Sequence, residues 1–225
     1  MTAGAAALDV DGLSVYLGGA TVVRGISLRV DRGATVGLLG RNGAGKTTTL
    51  RAVMGLVPVC AGRVTLLGEE VEGEPAHWRA RRGVGYAPED RRMISALTVE
   101  DNLWLPANAC GLPHQAAAQR LAWIFEILPE LEPLRKRWAA SLSGGQQKIV
   151  ALGRALMAGQ ELLLLDEPFQ GLAPALARRY AEALSQLRER DRQVAILISE
   201  SNPALLADVA QKTYTIERGE IVTAT

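Results

Sequence analysis

Histidine is almost missing from this chain: 225 residues hold two, His77 and His114, and none follows position 114. Cysteine is as scarce, and Cys60 and Cys110 stand alone with no second cysteine or histidine at metal-ligand spacing, a usage that fits a reducing compartment. Excess charge is missing too. The net charge is +1, and the basic residues, four lysines and 21 arginines, are scattered among acids, which argues against a nucleic-acid partner and reads as composition bias. No run of 18 apolar residues exists to cross a membrane. The opening "MTAGAAALDVDG" has no basic leader region, and Asp9 and Asp11 interrupt it, so it does not read as a signal peptide. What is present, 48% apolar and 22% charged residues, describes a packed domain, one core with a smaller subdomain.

The first thirty residues alternate apolar and polar ("LDVDGLSVYLGG", "ISLRV") and predict an antiparallel flap. "ATVGLLG" is a buried-strand pattern entering a glycine-rich loop and then the helical "KTTTLRAVMGL". "GRVTLLGEEV" reads as a strand, His77 to Arg82 as a charged helix, and "GVGYAPED" as a strand ending in a loop. From Thr98 to Gly159 the pattern is helical, opening on a capping-box-like start with Asp101 three positions after Thr98. Strands and helices then alternate again: "LLLLDEP", a helix over 174–190, "QVAILIS", a short helix after Pro203, and "KTYTIERGEIV". This order predicts an α/β fold with a parallel sheet interrupted by a helical insertion.

"GRNGAGKTT" has the spacing of a phosphate-binding loop: Gly40, Arg41, Asn42, Gly43, Ala44, Gly45, Lys46, Thr47 and Thr48. Its glycines let backbone N–H groups turn onto phosphate oxygens, and the following helix N-terminus favours anions. Lys46 is placed for the β- and γ-phosphates and Thr47 for Mg²⁺. "LLLLDEP" delivers Asp166 and Glu167 to the carboxyl end of a central strand, where ligands of open α/β sheets bind. Asp166 is expected in the metal shell, with Glu167 polarising the attacking water.

"LSGGQ", Leu142 to Gln146, lies 20 residues before Asp166, and with it the chain resembles the ATP-binding-cassette (ABC) ATPases over essentially its whole length. The resemblance implies a P-loop core over residues 1–89 and 160–225 and an inserted helical subdomain over 90–159. It implies ATP and Mg²⁺ as ligands, and a γ-phosphate contacted in trans by Ser143, Gly144, Gly145 and Gln146. Tyr16, 30 residues before Lys46, stands where the family places an adenine-stacking aromatic; the alternative is a tyrosine packed in the flap. Glu89 occupies the loop position that usually carries glutamine, and as a carboxylate it can bind metal but cannot donate like an amide.

"PEDRRM…LTVEDNL" and "DEPFQGLAP" resemble the ATPase subunits of branched-chain and hydrophobic amino-acid uptake systems. "GVGYAPEDRR" and "LISES" are also similar to the second cassette of sugar importers, but "GLAP" and the single cassette favour the amino-acid group. Ser201, 35 residues beyond Asp166, holds the place of the family's switch histidine; an ordinary serine in a capping turn before Pro203 is the competing reading. The resemblance implies a second cassette, transmembrane permease subunits, a solute-binding protein, and a peripheral location on the cytoplasmic face of the membrane. The intact "LSGGQ" beside the altered switch points to a non-identical partner that retains the histidine, with a homodimer in which Glu167 suffices as the alternative. A soluble ABC ATPase of the iron–sulfur assembly type and a low-turnover regulatory cassette are the alternatives. The stripe of Leu103, Trp104, Trp123 and Phe125 is a candidate permease-facing surface, with helix core as its alternative.

Overall fold

The computed structural model describes residues 6–190 and 193–225, so the first five residues of the N-terminal stretch read as no leader lie outside it. Strands β1 (Ala6–Leu17) and β2 (Ala20–Asp31) form the expected antiparallel flap, turning at Gly18 and Gly19, both at positive φ. β4 (Ala61–Leu66) and β5 (Glu69–Glu70) join that flap in the order β2-β1-β4-β5. The stretch "GRVTLLGEEV" is therefore two flap strands, broken where Leu67 and Gly68 take positive φ.

The second sheet has the order β10-β9-β3-β8-β7-β6. Its parallel strands are β3 (Thr35–Leu39), β6 (Val84–Ala87), β7 (Leu162–Asp166), β8 (Ala195–Glu200) and β9 (Lys212–Glu217). β10 (Glu220–Ala224) runs antiparallel to β9, so "KTYTIERGEIV" is a hairpin turning at Arg218 and Gly219 rather than one strand. The turn has to be tight and glycine-tipped. A Cβ on Gly219 would stand 2.3 Å from the Val22 carbonyl oxygen, and its N–H donates to Ala44 O, tying the flap to the phosphate loop.

Period-two alternation explains the central strands. In β7, Leu162 and Leu164 join the core shared with the flap and α1 (Lys46–Val53). Leu163 and Leu165 join the core shared with α5 (Gly144–Ala158) and α6 (Pro174–Arg190). All four are fully buried, each a contribution of about 1.5–3 kcal/mol.

The insertion carries α3 (Val99–Cys110) and α4 (His114–Ile127) before α5. Its core runs without a break from Leu103 and Ile124 into Leu163, Ile196 and α6. α5 presses directly on β6: a Cβ on Gly85 would meet Ala155 O at 2.1 Å, so only glycine admits this approach. Leu103 is fully buried, while Trp104 stacks on His114, Trp123 lies against Arg120 and Phe125 against Arg135. The proposed aromatic stripe is thus largely packing, and the exposed aromatic of this region is Trp138.

Short α2 (Ala76–Arg81) supplies one arginine that composition bias does not explain. Arg79 is buried and donates to the carbonyls of Ala52, Val53, Val71 and Glu74, closing the end of α1. Among the described residues no helix is long and apolar enough to cross a membrane.

Candidate nucleotide-binding and hydrolysis site

The adjacent parallel strands β3, β8, β7 and β6 end, in that spatial order, in the phosphate loop, Ser201, the Asp166–Glu167 pair and the turn carrying Glu89. Strand order alone therefore gathers four segments far apart in sequence at one carboxyl edge.

In the phosphate loop Gly43 and Gly45 take φ of 80° and 112°, and a Cβ on Gly40 would meet Ile216 O at 2.5 Å. These positions require glycine, and the loop so shaped is a cradle of main-chain N–H groups opening α1. Arg41, Asn42 and Gly43 are exposed at its rim, Ala44 and Gly45 are buried, and Thr47 and Thr48 are half-buried on the first turn. Lys46 lies buried along the loop. Its Nζ donates to Gly40 O at 2.7 Å and Arg41 O at 3.1 Å and pairs with Glu167 Oε1 at 2.9 Å.

Asp166 is the hub of the acidic side. Its Oδ1 accepts from Thr47 Oγ1 at 3.1 Å and Ser199 Oγ at 2.7 Å, and its Oδ2 accepts from Tyr86 Oη at 3.3 Å. Burial raises the Asp166 pKa, and hydrogen bonds from Ser199, Thr47 and Tyr86 oppose that rise. Burial also raises the Tyr86 pKa, reinforced by the Asp166 charge, so its hydroxyl is a donor here. The donor set around Thr47 and Asp166 is all oxygen and sparse, with no cluster of three metal-ligating side chains among the described residues. That suits a hard divalent cation completed by phosphate and water rather than a protein cage.

Glu167 sits in the left-handed region at φ 45°, a costly conformation for a residue with a Cβ. Its N–H donates to both Ser199 O and Ser199 Oγ at 3.1 Å, and its carbonyl accepts from Lys148 Nζ at 2.6 Å. Oε1 is taken by Lys46, whereas buried Oε2 has no partner among the described residues. An orphaned carboxylate oxygen beside a lysine and a main-chain cradle is what a water-activating base at a phosphate site requires.

The remaining sequence-derived residues fall around this centre. Tyr16 is exposed on β1 opposite Thr21, next along β2 to Val22, whose carbonyl faces Gly45, so the flap presents it beside the loop. Glu89 is exposed beyond β6 and makes none of the hydrogen bonds around Asp166, where Tyr86 of that strand donates instead. Ser201 is exposed, with its N–H donating to Glu200 Oε2. It does not cap the turn before Pro203: Asn202 does, accepting from Ala204 N–H.

Ser143 caps α5 in a reciprocal box with Gln146. Gly144 and Gly145 have Arg91 and Leu176 as their close neighbours, and the phosphate loop is not within 4 Å of either. Ser143 and Gly144 are exposed, and the signature makes no contact with its own chain's phosphate loop at Gly144 or Gly145.

Sequence reasoning missed Ser199, Glu200, Tyr86 and Lys148. The available signal was polarity inside buried elements: Ser199 and Glu200 end an otherwise apolar, fully buried strand. Glu200 accepts from the Phe169 and Ser201 N–H groups, and burial raises its pKa.

A glycine-built phosphate cradle, a buried lysine and an adjacent carboxylate pair at the ends of parallel strands define a P-loop nucleoside triphosphatase. The family model described as ABC transporter matches residues 23–170, and the chain belongs to the ABC transporter ATP-binding family; it is an ATPase subunit of that family. It is 35% identical over 215 residues to the high-affinity branched-chain amino acid transport ATP-binding protein BraG of Pseudomonas aeruginosa, covering 96% of this chain and 91% of that one. It is 36% identical over 219 residues to the lipopolysaccharide export ATP-binding protein LptB of Escherichia coli, covering 96% and 89%. Among solved structures, an ATP-binding subunit of an ABC transporter superposes with a TM-score of 0.85 at 28% identity, covering 97% of this chain and 89% of that one. The ADP conformation of the cassette MJ1267 does so with 0.82 at 25%, covering 97% and 90%.

Proposed function

We propose that this chain is the ATP-hydrolysing subunit of an importer for branched-chain or other hydrophobic amino acids or related small carboxylates. The observation that carries the chemistry is the joint anchoring of Glu167 by Lys46 and Ser199 with Oε2 left unpartnered. The similarity to BraG supports the solute class, and that to LptB makes export the competing outcome.

In this reading Tyr16 stacks on adenine, the 40–48 loop wraps the phosphates, and Lys46 moves between Glu167 and the terminal phosphate. Thr47 and Asp166, with Glu89, would hold Mg²⁺, which would neutralise phosphate charge. Glu167 Oε2 accepts a proton from the attacking water. Ser143, Gly144, Gly145 and Gln146 face the nucleotide of a second cassette, and closure of the pair drives permease subunits that hold the chain at the cytoplasmic face of the membrane and receive solute from a binding protein. Ser201 cannot become a cation near neutral pH as an imidazole does. The pair is therefore unequal: this chain's signature completes a partner site that keeps the histidine, and its own site turns over more slowly.

The test is to copurify the full chain with its membrane subunits and replace Glu167 by Gln here and its counterpart in the second cassette, separately. The partner substitution is expected to remove most ATPase activity and Glu167→Gln the smaller part. Equal losses would show an equivalent pair. Absence of membrane subunits would favour a soluble assembly ATPase, and a single-turnover rate near zero a regulatory cassette. Uptake of labelled leucine by reconstituted vesicles separates import from export.

A further inference from the structure

Lys148 is a buried ammonium on the second turn of α5, and the reaction as described makes no use of it. Its Nζ donates to Glu167 O at 2.6 Å, and among the described residues no carboxylate lies within ion-pair distance. Burial lowers its pKa, as does the nearby Arg91, while Glu200, Glu89 and Glu167 offset that loss from further away. Burying an ammonium costs several kcal/mol unless it is well partnered, and an apolar side chain of similar shape is often the more stable choice. The flanking Ile149, Val150, Ala151 and Leu152 show that α5 accepts apolar side chains throughout this core. The charge is therefore not there for packing.

Its target is a strained residue of the site itself. Glu167 holds φ 45° against its own preference, and its N–H is already fixed by Ser199. Lys148 fixes the opposite end of the same residue, so the peptide is pinned from β8 on one side and from α5 on the other. α5 begins at Gly144 with Ser143 of the signature as its cap, on the same helix as Lys148.

We propose that Lys148 is a positioning residue that couples the signature helix to the catalytic carboxylate: it holds the Glu167 main chain so that Oε2 addresses the water, and it transmits a displacement of the Ser143 turn to that carboxylate. This rests on Glu167 as the base, the role given above.

The experiment is a double-mutant cycle of Lys148→Met and Glu167→Gln in the full chain, assayed by single-turnover hydrolysis of labelled ATP in the assembly it forms, with the counterpart of Glu167 in the second cassette replaced by Gln so that only this chain's site is read. Binding of trinitrophenyl-ATP and the melting temperature are measured in parallel. Lys148→Met is expected to lower kcat roughly 10- to 100-fold, as misplacement of a catalytic group does. Nucleotide affinity stays unchanged and the melting temperature holds or rises, a combination that loss of a structural contact does not give. In the Glu167→Gln background the same substitution is expected to add no further loss, because the two residues act through one group. Should Lys148→Met not fold, Lys148→Gln, which keeps a donor of shorter reach, takes its place in the cycle. An unchanged kcat, or an equal loss in both backgrounds, overturns the proposal. Full activity of Glu167→Gln alone overturns instead the reading of Glu167 as base.

Discussion

Ser199 Oγ makes two bonds of opposite sense, donating to Asp166 Oδ1 at 2.7 Å and accepting from Glu167 N–H at 3.1 Å. Ser199→Ala removes both from a fully buried position and leaves two polar groups short of a partner. The expected cost is about 1–3 kcal/mol in chemical denaturation, with a fall in turnover because the Glu167 N–H loses one of its two acceptors. Ser199 was not legible in the sequence, because a motif spacing counted along the chain locates the end of the strand but not which side chain faces the neighbour. Strand register decides that: β8 pairs Ser199 with Asp166 and places Ser201 beyond the sheet. Lys46, Thr47, Asp166 and Glu167 were legible because phosphate chemistry confines them to short local patterns. Tyr86, Ser199 and Lys148 were not, since they reach the site from 80, 33 and 19 residues away.

Among the elements, α3 is fixed at its start by two devices. The Thr98–Asp101 box expected from sequence is present, and Glu100 on the same turn receives Arg135 and Lys136 from the segment that leads to the signature. Hydrogen bonds from Arg135 and then Lys136 hold the Glu100 pKa down at about 2. A carboxyl whose folded pKa is depressed stabilises the fold above its unfolded pKa, about 4.3, and loses that contribution as pH falls through the folded value. Between about pH 5 and 2, wild type should therefore lose up to about 1 kcal/mol more stability than Glu100→Gln, solvent screening of the exposed Lys136 and half-exposed Arg135 holding the effect to that size, read from denaturant midpoints. Element boundaries were legible where caps and glycines punctuate the chain, as at Thr98 and Gly159. The antiparallel β10 and the transfer of β4 to the flap were not. Their alternation fits either sheet, and only long-range pairing selects one.

At the scale of the whole molecule, the two halves of the chemistry sit on separate elements, the phosphate loop before α1 and the signature at the start of α5. The phosphate loop, Asp166 and Glu167 form one cluster, while the signature turn looks outward with Arg91 and Leu176 as its close company. If the signature acts only on another chain's nucleotide, damage to it must spare this chain's own nucleotide affinity. Gly144 is suited to separate the two. It is exposed, it takes no positive φ, and an added Cβ meets only the far end of the Arg91 side chain, at 2.8 Å. Gly144→Ala therefore folds at little cost, and the better helix former should add up to about 0.5–1 kcal/mol of stability, less what the shift of Arg91 takes back. The methyl also covers main-chain donors at the helix N-terminus, where a phosphate from the facing cassette has to approach. The isolated chain is expected to bind trinitrophenyl-ATP as wild type does, while turnover of the assembled pair falls at the partner's site. Loss of nucleotide affinity in the isolated chain would mean that the signature serves its own phosphate loop after all.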